Sequence, residues 1–148
     1  MKRSSLIFVA FIFMTMHSAC IFADSDLMVT ASKLPEEARA FVGDYFSSAS
    51  ISYIKKDINF LDMEYEVLLS DGTKIDFDRK GRWEKVSCKT RTIPSALVPK
   101  EISRYIKSTY PKERIVKINK ENYGYDIKLS NSMELSFNKS GQFISINY

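Results

Sequence analysis

The chain has little of the material from which catalytic and metal sites are usually built. Its 148 residues include one histidine, two cysteines and five glycines. His17 and Cys20 lie in an N-terminal segment that we expect to be removed, which leaves Cys88 alone. A single cysteine without histidine excludes a Cys/His zinc cage, an intrachain disulfide and a histidine-dependent triad. The sequence also has no phosphate loop, dinucleotide fingerprint or nucleophile elbow.

The N-terminal segment has the pattern of a secretory signal peptide. A short basic start, Met1-Lys2-Arg3, is followed by an uninterrupted apolar stretch from Leu6 to Phe13. This stretch is too short to cross a bilayer, which favours a cleaved signal over a retained anchor. We predict cleavage after Ala23, so that residues 1–23 are the signal peptide and residues 24–148 form one domain without a membrane span.

Cys20 leaves a second processing route open. Ser18 and Ala19 are small residues directly before a cysteine, as a lipoprotein processing site requires. Cleavage there would anchor the protein to a membrane through a lipid on Cys20. Both routes place the domain outside the cytoplasm, either in the periplasm or secreted, or anchored as a lipoprotein.

Charge gives no indication of a nucleic-acid partner. The predicted signal peptide carries two of the 22 lysine and arginine residues and none of the 18 acidic ones, so the remainder has a net charge of only +2. Charges of both signs are interspersed, and the chain has no basic run of the kind that follows phosphates. We therefore expect no nucleic acid among the partners.

An internal repeat is the most informative pattern in the chain. Residues 64–83 match residues 124–143 at a constant offset of 60, without a gap. Such self-similarity indicates two copies of one supersecondary unit. We place the copies at residues 31–88 and 93–148. The matched pairs are Tyr65 and Tyr125, Leu69 and Leu129, Phe77 and Phe137, Gly81 and Gly141, and Trp83 and Phe143.

Each copy opens with a stretch of helical periodicity. Pro35 and Pro99 stand just inside the two predicted starts, where the missing N–H of proline is tolerated, and Pro111 should end the second helix near Tyr110. The helices match at an offset of 64 rather than 60, so we expect the second copy to be four residues shorter between helix and sheet. The apolar stripes are Leu34, Ala38, Phe41, Val42, Tyr45 and Phe46 in the first copy and Val98, Ile102, Tyr105, Ile106, Thr109 and Tyr110 in the second.

After each helix, apolar residues alternate with polar ones, which is the period of strands with one buried and one wet face. Asp71-Gly72 is a strong hairpin turn, and Gly81 and Gly141 mark the next reversals, where positive φ is expected. The prediction is an α+β fold in which each copy has one helix followed by four antiparallel strands. Side by side, the copies form one eight-stranded sheet with both helices on the same face. The predicted buried face consists of Tyr65, Val67, Leu69, Ile75, Phe77, Tyr125, Ile127, Leu129, Leu135 and Phe137.

The order of these motifs matches a known pattern. Leu34-Pro35 or Val98-Pro99 opens a helix, Tyr-x-Val/Ile-x-Leu-Ser-Asp/Asn follows, and then comes Phe-Asp/Asn-x-x-Gly with an aromatic residue two positions on. In this combined order and spacing the chain resembles the PepSY-like family, secreted proteins of Bacteroidetes-type bacteria that are described as β-lactamase-inhibitor-like. The resemblance covers nearly all of residues 31–148.

The resemblance implies a fold like that of the β-lactamase inhibitory protein, in which tandem helix-plus-four-strand units form a sheet that grips a partner protein. It also implies kinship with PepSY domains, which are associated with inhibition or regulation of peptidases outside the cytoplasm. The sequence departs from the inhibitor in two respects, since no motif matches its contact residues and its disulfides cannot form with Cys88 alone. The likeness is therefore to the shape of the inhibitor more than to its activity.

The uncovered face of the predicted sheet is the candidate binding surface. We interpret the chain as a non-catalytic, extracytoplasmic module that binds an envelope protein or peptide, without a cofactor, and that could inhibit or regulate an envelope enzyme. Trp83 and Phe143 would suit interface anchors, although an aromatic residue at this position in both copies favours the edge of the core. The candidate binding residues are Tyr53, Glu64, Glu66, Leu68, Asp76, Asp78, Tyr123, Asp126 and Lys128.

Two alternatives stay open. Asp76 and Asp78 flank Phe77 and should share a strand face, where two carboxylates could hold a metal ion or a small ligand together with nearby tyrosines, as in a periplasmic carrier. The second copy has Ser136 and Asn138 at these positions, so ordinary solvent-facing charges explain the pair more simply. An enzyme is the weaker alternative, because no catalytic motif is present. We assign no catalytic or metal-binding residue.

Overall fold

The structure, a computed structural model, describes residues 27–58 and 63–147. The predicted signal peptide, residues 1–23, and the alternative processing site at Cys20 lie outside these residues. In the described part of the chain, no helix combines the length and apolarity that crossing a membrane requires.

The elements of the described chain follow the predicted order. Helix α1 spans Glu36–Phe46 and helix α2 spans Lys100–Thr109, and each is preceded by a single turn of 3-10 helix. The end of α2 directly before Tyr110 agrees with the prediction from Pro111. The strands are β1 (Leu27–Met28), β2 (Ile51–Ile58), β3 (Met63–Leu69), β4 (Lys74–Phe77), β5 (Trp83–Ser87), β6 (Ile115–Glu121), β7 (Gly124–Leu129), β8 (Glu134–Asn138) and β9 (Phe143–Asn147).

These strands form one antiparallel sheet in which neighbours along the chain are also neighbours in space. Strands β2 to β9 are the eight that the alternating pattern predicts, four after each helix, and the α+β prediction is confirmed. Strand β1 adds a short ninth strand at the outer side of β2. The sequence pattern does not predict β1, because two residues are too few to show a period.

An apolar row crosses the sheet through directly paired residues and passes without interruption from β5 to β6, where the two units join. Phe41 of α1 packs edge-on against Phe77, with ring centroids 5.6 Å apart, and Tyr105 of α2 packs in the same way against Phe137 at 5.4 Å. Both helices therefore cover the same face of the sheet and share one core. The row consists of Ile54, Val67, Ile75, Val86, Ile118, Ile127, Leu135 and Ile146.

The predicted buried face is confirmed in nearly every position. Of its ten residues, only Tyr125 keeps more than marginal contact with solvent, and it still packs against the core. Burial of this apolar surface, at about 25 cal/mol per Å², is the main stabilising contribution to the fold. It fixes the strand register, because a slip by one residue would turn the whole set to water.

Both helices begin one residue later than predicted. Pro35 and Pro99 occupy the N-cap positions, with extended ψ angles of 147° and 140°, instead of the first helical positions. The start of α1 is also held closely by the turn before β5. A Cβ atom on Gly81 would lie 2.8 Å from the Cβ of Pro35 and 2.9 Å from the backbone nitrogen of Ala38, and its φ is +86°. Glycine at this turn is therefore required for the backbone angle and for the approach of the helix.

The position of the four-residue difference between the copies was predicted wrongly. The offset of 64 continues through the first strand of each unit, where Ile54 and Ile118 are equivalent, and it changes to 60 only in the next strand. Strands β6 and β7 are joined by a two-residue turn between Glu121 and Gly124, whereas residues 59–62 separate β2 from β3, and β2 and β3 are each one residue longer than β6 and β7. The extra residues thus extend a hairpin instead of the connection from helix to sheet, and both helices keep the same distance along the chain from their first strand.

Candidate binding face

The side of the sheet opposite the helices carries two rows of paired side chains, which we call the open face. Most of these side chains are polar or charged and keep some exposure to solvent, and Ser136 is the one that is buried. The first row is Lys55, Glu66, Asp76, Lys85, Asn119, Asp126, Ser136 and Ser145, and the second is Tyr53, Leu68, Lys74, Ser87, Lys117, Lys128, Glu134 and Asn147.

Glu66 has several partners at the β2 end of the open face. The hydroxyl group of Tyr53 donates to Oε1 at 2.9 Å, and Nζ of Lys74 forms an ion pair with Oε2. Burial alone would raise the pKa of Glu66, but the hydrogen bonds from Lys74 and Tyr53 outweigh it and hold the pKa below its ordinary value. The hydrogen bond with Glu66 in turn raises the pKa of both Tyr53 and Lys74. These groups form a fixed charged cluster beside the half-buried Leu68.

A small acidic hollow of about 80 Å³ lies next to this cluster. Oδ2 of Asp76 accepts a hydrogen bond from Nζ of Lys85 at 2.9 Å, while Oδ1 of Asp76 is buried without a hydrogen-bond partner. Oδ1 of Asp57 is buried and unpartnered as well. Glu64, which pairs with Asp57 across the strands, is exposed at the rim. The hollow therefore gathers four carboxylates, and it is lined by Lys55, Asp57, Glu64, Tyr65, Glu66 and Asp76.

Asp126 is the corresponding centre in the second unit. It accepts hydrogen bonds from the hydroxyl of Tyr123 at 2.5 Å and from the hydroxyl of Ser136 at 2.6 Å. Ser136 in turn accepts from the side-chain amide of Asn147 at 2.9 Å. The hydrogen bond with Asp126 raises the pKa of Tyr123, a residue that is 47% exposed at the β6–β7 turn. Tyr123 is thus the most exposed aromatic group that reaches the open face.

Lysines occupy the middle of the open face, between these two centres. Lys128 pairs with Glu134 at 3.0 Å. Lys117 lies directly between Ser87 and Lys128 in the second row, and its side chain has no hydrogen bond or ion pair within residues 27–58 and 63–147. The sequence pattern did not single out this lysine, because an isolated lysine on a wet strand is ordinary. Only the register shows that it lies beside a second cation at the junction of the units.

Asp78 does not lie where the alternating pattern placed it. It follows the end of β4, and its Oδ1 accepts the backbone N–H groups of Lys80 and Arg82, both at 2.9 Å. Its Oδ2 pairs with the guanidinium group of Arg82 at 2.6 Å. Burial would raise the pKa of Asp78, but these hydrogen bonds outweigh it and lower the pKa. Asn138 makes the same two backbone contacts, to Ser140 and Gln142. Asp78 therefore shapes a turn, and it does not line the acidic hollow that Asp76 lines.

Trp83 and Phe143 lie on the helix side, at the edge of the core. Trp83 stacks on Phe41 with ring centroids 6.0 Å apart, and Phe143 stacks on Tyr105 at 5.2 Å. Nζ of Lys120 lies 3.5 Å from the centroid of the Trp83 ring, and burial lowers the pKa of this lysine. The core-edge interpretation is thus confirmed for Trp83, whereas Phe143 makes these ring contacts and still keeps 39% of its surface exposed.

The arrangement offers recognition chemistry more readily than catalysis. Among the described residues, no three His, Cys, Asp or Glu side chains are placed as metal ligands would be. Cys88 is buried, and burial raises the pKa of its thiol, which opposes a role as a nucleophile. What remains is a broad patterned surface of carboxylates, lysines and tyrosines.

A family model and several solved structures are similar to this chain. Residues 63–145 match a family model described as "Putative beta-lactamase-inhibitor-like, PepSY-like". A solved structure from Bacteroides thetaiotaomicron, described as a "putative calcium-regulated periplasmic protein", is similar with a TM-score of 0.81 and 35% identity, over 85% of this chain and 99% of that one. No curated protein matches the chain.

Two structures from Bacteroides vulgatus are similar to the same extent. One is described as a periplasmic protein of unknown function, with a TM-score of 0.80 and 34% identity over 83% of this chain and 99% of that one. The other is described as a periplasmic protein of the DUF2874 family, with a TM-score of 0.80 and 32% identity over 85% of this chain and 99% of that one.

Proposed function

We propose, because this chain belongs to the β-lactamase-inhibitor-like, PepSY-like family, that it is a non-catalytic periplasmic module whose open face binds a protein or peptide. Regulation or inhibition of an envelope enzyme is the role that this family membership favours. The periplasmic location is supported by the three similar structures, all described as periplasmic proteins, and by the signal peptide predicted from the sequence.

The observation that carries the proposal is the one-sided covering of a continuous sheet. Both helices pack on one side, so the two rows of the open face extend across the junction of the units. Most of its charges are already paired within the chain, which gives the face a fixed pattern. The side chain of Lys117 forms no ion pair with any described residue, and a carboxylate on a partner would neutralise its charge. Complementary charge of this kind contributes mainly to specificity and to the rate of association.

The test places a photo-crosslinking residue on the open face. Position 117 carries the probe in the native envelope, and position 112, an exposed lysine after α2, carries it in the control. We expect a specific adduct from position 117 only, identified by mass spectrometry. The purified partner is then titrated calorimetrically against Lys117→Glu, Glu64→Lys and the control Lys112→Glu. If binding to all three variants is unchanged while they remain folded, the open-face proposal is refuted.

A second candidate function, binding of calcium, is favoured by the acidic hollow. Two buried carboxylate oxygens, one on Asp57 and one on Asp76, have no hydrogen-bond partner there, and carboxylate oxygens are the ligands that calcium prefers. One of the similar structures is also described as calcium-regulated. Binding would require the carboxylates to move closer, since the described residues show no arrangement of metal ligands.

Titration with calcium chloride decides this candidate. Wild type should release or absorb heat at up to millimolar calcium, Asp76→Asn should abolish it, and Asp126→Asn in the second unit should leave it unchanged. If wild type gave no heat of binding, calcium binding would be excluded, and the protein-binding proposal would be unaffected.

A further inference from the structure

The two outer edges of the sheet differ in how far they are protected against pairing with another strand. At one edge, the short strand β1 pairs with Lys55 and Lys56 of β2. At the other, no strand of the described chain pairs with the outer side of β9. Strand β9, Phe143–Asn147, contains no charged residue or proline, and Ile144 is 52% exposed. An edge strand of this composition is a template for intermolecular pairing.

The chain itself shows what such an edge accepts. Strand β5 is the equivalent of β9 in the first unit, and its outer side is paired with β6. There, apolar Val86 faces apolar Ile118, while polar residues face each other on either side. The equivalents on β9 are Ile146 in the centre, with Ser145 and Asn147 flanking it. The polar pairs between β5 and β6 are Lys85 with Asn119 and Ser87 with Lys117. A strand that docks on β9 in the same way must therefore offer an apolar residue between two polar ones.

We propose that β9 pairs antiparallel with β9 of a second copy of this chain, so that the sheet continues through a two-fold axis at Ile146. In this register Ile146 faces its own counterpart, and Ser145 of one copy faces Asn147 of the other, which satisfies the rule shown by β5 and β6. A two-fold axis brings each residue near its own copy, so a charge on β9 would be repelled, and β9 has none. The open face stays uncovered, because the second sheet extends in the same plane.

Sedimentation equilibrium of the mature protein, from micromolar concentrations to about 1 mM, tests the proposal. We expect a reversible dimer. Ser145→Lys should weaken it at least tenfold, because each added lysine lies one residue from the axis and therefore close to its own copy. Met28→Lys, which changes an exposed apolar residue at the opposite edge, should leave it unchanged. A wild type that stays monomeric, or equal effects of the two variants, would overturn the proposal and leave the edge to an extended segment of another protein.

Cysteine pairing tests the register separately. A mixture of Ser145→Cys and Asn147→Cys proteins should form a mixed disulfide under mild oxidation, because the pairing places these positions opposite each other at a distance that a disulfide spans. The native thiol is buried at Cys88 and should not interfere. Each variant alone should crosslink far less. Crosslinking that is equal in all three samples would contradict the register and, with it, the proposed dimer.

Discussion

Val86 and Ile118 lie directly opposite each other on β5 and β6, and neither side chain has any exposed surface. This pair lies at the junction between two units that the sequence presents as separate copies. A fully buried pair at a junction means that the units share one core, since each side chain would be exposed if its partner unit separated. The two units should therefore unfold together.

The first prediction concerns this junction. Ile118→Ala should lower the free energy of unfolding by about 2–5 kcal/mol, because it removes buried methyl groups and leaves a cavity. Ile144→Ala, at an exposed site, should change it by less than about 0.5 kcal/mol. Urea titration followed by the fluorescence of Trp83 and by circular dichroism checks both values. Two separate transitions, with the first unit stable on its own, would contradict a shared core.

The second prediction compares two glycines. Gly81→Ala should destabilise the protein by more than about 1 kcal/mol, because φ is +86° and a Cβ would lie 2.8 Å from Pro35. Gly43→Ala within α1 meets no atom within 4 Å, and it should stabilise the protein by about 0.5–1 kcal/mol. Thermal unfolding of both variants measures the difference. Equal melting temperatures would mean that the turn before β5 is free to move away from α1.

The repeat and the alternation were sufficient to predict the fold, because they depend on which side chains avoid water. Tyr65, Val67 and Phe77 could be assigned to the core by their period alone. The short strand β1 and the longer hairpin between β2 and β3 could not be predicted in this way, because neither produces a period in the sequence. Asp78 was misplaced for a related reason, because its turn chemistry interrupts the alternation directly after Phe77.

The candidate site was less predictable than the fold. Individual residues such as Glu66 and Asp126 could be assigned to the wet face, but their partners are set by cross-strand register, which a single sequence does not reveal. Lys117 illustrates the difference. Its position beside Lys128 depends on which residue of β6 faces which residue of β7, and the bulge near Ile115 shifts that pairing.

The third prediction concerns pH. The folded state holds the pKa of Glu66 below its ordinary value of 4.5, so ionised Glu66 contributes to stability above that value, and the contribution is lost as the pH falls through the lowered folded pKa. Glu66→Gln should therefore be less stable than wild type at neutral pH, and the gap should narrow below about pH 4.5. Urea titrations at several pH values measure the gap. Glu64→Gln, exposed on the same strand, is the control for simple loss of charge, and a gap for Glu66→Gln that does not vary with pH would contradict the prediction.

The fourth prediction separates turn geometry from charge at Asp78. Asn138 makes the same backbone contacts in the second unit as Asp78 makes in the first, so an amide oxygen is sufficient for the turn. Asp78→Asn should therefore lose only the ion pair with the exposed Arg82, and the free energy of unfolding should change little. Asp78→Ala should lose the backbone contacts as well and destabilise the protein by about 1 kcal/mol more. If Asp78→Asn proved as destabilising as Asp78→Ala, the backbone contacts of the turn would not explain the contribution of Asp78 to stability, and its charge would be the decisive part.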